Sequence, residues 1–270
     1  MTIDTPTMRN RFAAQSAIEE LLLVQGSTVP RTRLACFFGR SPLGVDSAAW
    51  YACAKGERVV GSVLATLPKE WKVFHSLPVG TGIDIDHLAI GPAGVFTIST
   101  KHHHGKSVWV SGRTVMVARQ KKEYIRDAEI EATRVSELMR ERMPKSTSAR
   151  PVVAIVHPAR LAIRRRPAQV KVIDARNLRA WLLALPPVLA WPERMEVNAV
   201  IDSPASWLAE PAAPTTNLLA GFAALDADVR VARIRRLFWR VLGIVTATGV
   251  GIAVGPLLAA DTMILLTGGR

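Results

Sequence analysis

The order of short apolar runs along the middle of the chain most constrains what it can fold into. A helical pattern at 47–67 is followed by β-rich runs at 71–77, 83–90 and 94–100, and by a pair of runs around Ser111-Gly112, which suits a hairpin turn. A helical pattern at 127–142 and a buried strand at 152–156 come next. Helices and strands that alternate in this way predict an α/β fold.

The remaining segments predict how this central part is framed. An amphipathic segment at 11–24 leads into a Pro- and Gly-bearing connector, and an arginine-rich connector at 160–166 follows the buried strand. A strand near 170–173 and helices around 176–185 and 203–209 come last. The predicted domains are an N-terminal helix and connector at 1–46, a main domain at 47–208, a linker at 209–229 and a basic, apolar segment at 230–270.

Composition excludes several classes of protein. Apolar residues make up 49% of the 270 residues, which is enough to bury a sizeable core and excludes a disordered or fibrous chain. Only Cys36 and Cys53 are present, which excludes a disulfide framework and a cysteine-based zinc ribbon. The N-terminus lacks the pattern of a secretory signal, because Asp4 and Glu19-Glu20 interrupt it. We therefore expect the main domain to lie in the cytosol.

The run at 241–260 contains 20 residues without a charge, and about 20 are needed for a helix to cross a bilayer. It predicts a membrane span, and the arginines that precede it predict a single-pass protein with a cytoplasmic N-terminal domain. These arginines are Arg230, Arg233, Arg235, Arg236 and Arg240. The alternative is a core helix or buried hairpin, favoured by four glycines and Pro256. The spacing of Gly251 and Gly255 would allow two such helices to pack as a homodimer.

Glu57 lies in the middle of an otherwise apolar helical stripe. The stripe runs through Trp50, Cys53, Val60, Leu64 and Leu67. A carboxylate on a core-facing stripe is costly unless something pairs with it, so Glu57 is a candidate functional residue. The alternative is a glutamate at the edge of the stripe that turns out to water.

Two carboxylates and a lysine follow on neighbouring strands. Asp84 and Asp86 are two apart, so that on one strand they would share a face, and Ser99 and Lys101 have the same spacing on the next strand. The connection at 91–94 is short enough to make these strands neighbours. Carboxylates that hold Mg²⁺ or Mn²⁺ beside a lysine are the set that metal-assisted phosphodiester hydrolysis needs. Asp84 and Asp86 are thus candidate metal ligands, and the alternative is that they are solvated strand residues.

The chain resembles the NERD domain, the nuclease-related domain of the PD-(D/E)xK superfamily, and looks most like its actinobacterial members. The resemblance spans about 47–173 and rests on Gly56-Glu57, on DIDH at 84–87 and on GVFTISTK at 94–101. It implies a nuclease-like mixed sheet sandwiched between helices. It also implies that Asp86 is a metal ligand, that Lys101 and Glu57 are catalytic, and that Gln120 assists them.

Ser99 departs from the superfamily pattern, which has a metal-binding carboxylate two residues before the lysine. A serine hydroxyl has no charge and is a poor ligand for a hard dication, although Asp84 or Glu57 would be able to supply a carboxylate instead. Two functions therefore stay open. The chain is either a divalent-metal-dependent nuclease at the membrane or a catalytically inactive nuclease-fold interaction module at the cytoplasmic membrane face.

The basic residues predict a polyanionic partner, in keeping with 35 Lys and Arg against 22 Asp and Glu. Candidate nucleic-acid contacts are Lys121, Lys122, Arg164, Arg165 and Arg166. DNA is the first expectation, while RNA, an anionic lipid surface and a merely solvated loop are alternatives. The three consecutive histidines at 102–104 fit a loop that touches phosphate better than a metal site, because consecutive extended residues point to alternate faces.

Overall fold

The computed structural model describes residues 7–79, 84–143, 148–207 and 216–267, and in the last helix it describes side chains at 217–246 and 248. The α-helices are α1 (Gln15–Gly26), α2 (Arg33–Phe37), α3 (Val45–Leu64), α4 (Tyr124–Arg142), α5 (Ala175–Leu183), α6 (Trp191–Asp202) and α7 (Thr216–Thr267). The strands are β1 (Lys72–Leu77), β2 (Ile85–Gly91), β3 (Gly94–His102), β4 (Ser107–Ser111), β5 (Thr114–Val117), β6 (Gln120–Lys122), β7 (Arg150–Val156), β8 (Arg160–Arg165) and β9 (Lys171–Asp174).

The central sheet has five strands in the order β1-β2-β3-β7-β9. The first three strands are antiparallel neighbours, whereas β7 and β9 run parallel to β3, so the sheet is mixed. The turn between β2 and β3 is tight and places Gly91 opposite Gly94. The predicted neighbouring strands are thereby confirmed.

Helices cover both faces of this sheet. On one face, Val60 and Leu64 of α3 pack with Leu178 of α5 against inward residues of β2, β3 and β7. On the other face, α4 and α6 pack against β1 and β2. Successive side chains of a strand point to opposite faces, so these apolar strands contribute to the core on both faces of the sheet. This mixed architecture confirms the α/β part of the predicted fold class and fits a nuclease-like fold.

A second sheet of four strands lies in the order β6-β5-β4-β8. The hairpin of β4 and β5 turns at Gly112, which has a φ of +55°, a conformation that glycine adopts without strain. The arginine-rich connector predicted at 160–166 is instead strand β8, parallel to β4. Its charges are compatible with a strand because β8 is at the sheet edge, where they face solvent.

Some predicted boundaries differ from the structure. The helix predicted at 203–209 is a 3-10 turn at Pro204–Ser206, and helix α6 before it was not predicted. The linker predicted at 209–229 is helical from Thr216, because the sequence that follows is rich in helix-forming alanine, leucine and arginine.

The chain divides into two compact units. The first comprises Met1–Val24 and Val45–Leu219, and the second comprises Gln25–Gly44 and Ala220–Arg270. This division joins segments that the sequence analysis places in separate domains. In the second unit α2 packs against α7, where Gly39, with a φ of +74°, lies against the main chain of α7.

Within the part of the chain that the structure describes, no helix combines the length and the apolar character that a membrane crossing requires. Most of the predicted span at 241–260, with Gly251 and Gly255, lies outside the residues whose side chains are described.

Candidate functional site

The end of β3 is the centre of the site. Among the described residues, the pairing of β2 with β3 ends at His87 and Ile98, and Ser99–His102 of β3 pair with β7. Asp86 directly precedes this last pair on β2, and Ser99 directly follows it on β3. The main-chain N–H of Thr100, which has no β2 partner at this point, donates to Asp86 Oδ2 at 2.6 Å. The carboxylate of Asp86 is thus fixed where the strand pairing stops.

Asp84 does not share a strand with Asp86 as predicted, because β2 begins at Ile85. Its half-buried carboxylate lies just before the strand and is still close to the site. The charge of Asp84 contributes to raising the pKa of Glu57, after burial and the charge of Asp86. It also acts on Arg11, whose guanidinium donates to the carbonyl oxygen of Ser76 at 2.6 Å.

Glu57 approaches the site from α3 and is only 4% exposed. The thiol of Cys53, one helical turn earlier, donates to Glu57 Oε1 at 3.5 Å. Burial raises the pKa of Glu57 well above its usual value, and the charge of Asp86 raises it further. Gly56 allows this approach, because a Cβ there would lie 2.9 Å from His102 Cβ.

Glu131 approaches from the opposite layer, on α4, and was not predicted from the sequence. It is 4% exposed, and Ser99 Oγ donates to its Oε1 at 3.3 Å. Its other oxygen, Oε2, is buried and has no hydrogen-bond partner among the described residues. Burial, followed by the charge of Asp86, raises the pKa of Glu131 to about 8. Ser99, at the position where the resemblance implies a carboxylate, therefore holds a buried carboxyl group by a hydrogen bond.

Lys101 lies two residues beyond Ser99 on the same face of β3. Burial alone would lower its pKa, but the charges of Asp86 and Glu131 outweigh burial and the pKa is raised. Its Nζ lies 5.4 Å from the centre of the Tyr124 ring. Lys101 is therefore a protonated cation among the carboxyl groups of Asp86, Glu131 and Glu57.

Whether the site suits a divalent cation depends on which oxygen atoms it offers as ligands. Among the described residues, no group of three or more His, Cys, Asp or Glu is arranged to hold a metal ion. Mg²⁺ needs fewer, since one or two carboxylates with waters and substrate phosphates are its usual ligands. Asp86 and the unpartnered oxygen of Glu131 provide such a pair. A dication would also relieve the repulsion that raises the pKa of Glu131.

Gln120, the predicted assisting residue, lies in strand β6 of the second sheet. It is exposed in β6, paired with Val117 in the second sheet, and its described contacts do not bring it to Asp86 or Lys101. An assisting role for Gln120 therefore stays a prediction from the resemblance.

The predicted nucleic-acid contacts all belong to the second sheet or follow it. Lys121 and Lys122 are in β6 at one edge, Arg164 and Arg165 are in β8 at the other edge, and Arg166 follows. Across the sheet, Lys121, Met116, Trp109 and Ala162 form one row, which is the side opposite the buried valines. Trp109 is 39% exposed. The outer face of the second sheet, defined by Trp109, Lys121 and Arg165, thus combines an aromatic ring with positive charge.

The histidines near the site form two arrangements. The rings of His102, His104 and His157 lie 6.0–6.4 Å apart, whereas His103 points the other way and its Nε2 lies 2.9 Å from Tyr124 Oη. In the core, His87 is fully buried with its Nδ1 2.8 Å from that of His75.

Comparison with known proteins agrees with this geometry. Residues 53–156 match the family model of the nuclease-related domain, NERD. The matched segment runs from α3 to the end of β7 and contains Glu57, Asp86, Ser99, Lys101 and Glu131. No curated protein and no solved structure matches the chain. This part of the chain is therefore similar to a nuclease-related domain, which suggests a nuclease-related function.

Proposed function

We propose that this domain hydrolyses phosphodiester bonds in nucleic acid with the help of Mg²⁺ or Mn²⁺. The observation that carries the proposal is the convergence of Asp86, Glu131, Glu57 and Lys101 at the open end of β3. Carboxyl groups whose pKa is raised by burial and by each other are typical of catalytic sites. Asp84 stands close enough to add a carboxylate on the side where β2 begins.

Each side chain has a role that follows from its charge. Asp86 and Glu131 would hold the cation, which when bound polarises the phosphate and activates water. Lys101 stays protonated near neutral pH, so it donates hydrogen bonds to a phosphate oxygen and stabilises the charge that develops there. Glu57 keeps its proton at a higher pH than an exposed glutamate does and is a proton donor on the α3 side.

The outer face of the second sheet supports nucleic acid as the substrate. An exposed tryptophan offers a surface on which a base can stack, and stacking is tolerant of sequence. Lysine and arginine around it neutralise phosphates, which gives an affinity that falls with salt. Lys122, Arg164 and Arg166 extend this positive charge, and DNA is the first substrate to test.

The test incubates the full chain in detergent with plasmid and linear DNA in Mg²⁺, Mn²⁺ or EDTA, beside Asp86→Ala and Lys101→Ala. The proposal expects cleavage that needs a divalent cation and that both variants lose. Ser99 favours a second candidate, an inactive nuclease-fold module, because it removes the motif carboxylate. No cleavage, together with salt-sensitive DNA retention that both variants keep, would support that second candidate.

The second unit supports a further proposal, attachment to the cytoplasmic face of a membrane. Phe37, Phe38 and Trp239 pack with ring centres 5.0–5.3 Å apart, and Phe37 and Phe38 are exposed whereas Trp239 is half-buried. The guanidinium groups of Arg235 and Arg236 donate to main-chain carbonyls of the α2 segment beside them. Exposed aromatic rings beside arginines suit an anionic bilayer surface. The uncharged run at 241–260 would then anchor a single-pass protein, with Gly251 and Gly255 available for a homodimer.

Co-sedimentation with lipid vesicles tests this attachment. We expect the full chain to co-sediment with phosphatidylglycerol vesicles. A Trp239→Ala/Phe38→Ala variant should bind the vesicle surface less strongly. Extraction of the wild type from vesicles by high salt alone would contradict an anchored protein.

A further inference from the structure

We propose that Glu131 of α4 is the metal-binding carboxylate of this site and replaces the acid that position 99 lacks. The proposal rests on the proposed function, since it names the residue that would make a divalent cation site possible despite Ser99.

The contact between the two residues carries the argument. Ser99 Oγ lies 3.3 Å from Glu131 Oε1. A glutamate at position 99 would place its carboxylate oxygens roughly 2.4 Å beyond its γ atom. The two carboxyl groups would therefore compete for nearly the same space. Serine is small enough to leave that space to Glu131, and its hydroxyl donates a hydrogen bond that fixes the carboxyl group there.

A second observation points to a ligand. Glu131 is only 4% exposed, and its Oε2 has no hydrogen-bond partner in the part of the chain that the structure describes. A buried polar oxygen without a partner is unfavourable and rare in folded proteins. A cation bonded to Oε2 would supply the missing partner.

The other two candidate carboxylates are placed differently. Glu57 reaches the site from α3, on the opposite side of the sheet, and accepts a hydrogen bond from Cys53. Asp84 lies before β2, on the side of Arg11. Among the described carboxyl groups around the site, Glu131 is the one that accepts a hydrogen bond from the side chain at position 99.

An exchange of the two side chains tests this assignment. The variants are Glu131→Gln, Ser99→Glu and the double exchange Ser99→Glu/Glu131→Ser, with Glu137→Gln on the exposed side of α4 as a matched control. The readouts for the full chain are Mn²⁺ affinity by calorimetry without nucleic acid, and plasmid cleavage. We expect Glu131→Gln to weaken Mn²⁺ binding at least about tenfold, the double exchange to restore most of it, and the control to match the wild type.

The outcomes separate this inference from the proposed function. Loss of Mn²⁺ binding in Glu131→Gln and its return in the double exchange support the inference even when the wild type cleaves no DNA. Wild-type Mn²⁺ affinity in folded Glu131→Gln, or no Mn²⁺ binding by the wild type, overturns the inference, and the proposed function survives if DNA is still cleaved. If Glu131→Gln does not fold, Glu131→Asp replaces it, with weaker but measurable Mn²⁺ binding expected and unchanged binding overturning the inference.

Discussion

Replacing Glu131 with glutamine should stabilise the metal-free protein at alkaline pH. The carboxyl group of Glu131 has a pKa raised to about 8 in the folded chain, first by burial and then by the charge of Asp86. The unfolded chain loses this proton near pH 4.5. Between these two values the folded state holds a proton that the unfolded state has lost. The contribution of Glu131 to the unfolding free energy is therefore fully present below pH 4.5 and is lost as the pH rises through 8.

The magnitude follows from the same two values. Each tenfold change in proton affinity is worth about 1.4 kcal/mol, so the wild type should lose about 3 kcal/mol of unfolding free energy from this group between pH 5 and pH 8. Glutamine keeps an oxygen acceptor for Ser99 Oγ but does not ionise. The variant should therefore match the wild type near pH 5 and exceed it by about 3 kcal/mol at pH 8.

The assay is urea unfolding of both proteins in EDTA at several values between pH 5 and pH 8, followed by tryptophan fluorescence. A free-energy difference between the two proteins that stays constant over this range would refute the reasoning, because Glu131 would then ionise normally. Mn²⁺ added to the wild type at pH 8 should recover part of the lost stability, since the cation replaces the proton.

Three further predictions concern the rest of the fold and the binding face. Burial lowers the pKa of His75 to about 4 and that of His87 well below its usual value. The unfolding free energy should therefore fall as the pH drops from 6.5 to about 4. A His75→Phe/His87→Leu variant should show a smaller fall when unfolding is measured over this pH range. Gly91→Ala should destabilise the protein by about 1–3 kcal/mol in urea unfolding, because a Cβ at Gly91 would overlap the ring of Trp71. Trp109→Ala should weaken single-stranded DNA retention on filters by about 1–3 kcal/mol, through lost stacking.

The predictions for Gly91 and Trp109 each have a matched control in the chain. Gly26→Ala has open space around its new Cβ and should leave stability nearly unchanged. Arg113→Ala removes a guanidinium already paired with Glu129, so DNA retention should change little. An equal effect in variant and control would contradict the argument for Gly91 or for Trp109. An unfolding free energy that falls equally in acid with and without the two histidines would contradict the argument for His75 and His87.

The central strands were predictable from the sequence because they are buried and therefore read as short apolar runs. Apolar runs bounded by glycine or proline gave β1, β2, β3 and β7, and the Ser111-Gly112 signal gave the β4–β5 hairpin. Strand β8 was missed because an edge strand with three arginines has the composition of a solvated connector. Pairing with β4, which only the tertiary structure provides, decides its conformation.

The site was predictable only in part. Asp86, Lys101 and Glu57 follow from strand neighbours, from a charge in an apolar stripe and from the family resemblance. Glu131 carried the same signal as Glu57, since it lies in the buried stripe of Ala128, Ala132 and Val135 on α4. Its contact with Ser99 was not predictable, because nothing in the sequence fixes how α4 packs on β3.

The position of a bound ion tests the central claim most directly. Crystals of the full chain grown with Mn²⁺ and measured at the manganese absorption edge would locate the ion from its anomalous signal. The account predicts one peak within about 2.2 Å of carboxylate oxygens of both Asp86 and Glu131, with Lys101 beside it. A peak at the histidines of 102–104, or none at this site while Mn²⁺ is present in excess, would contradict it.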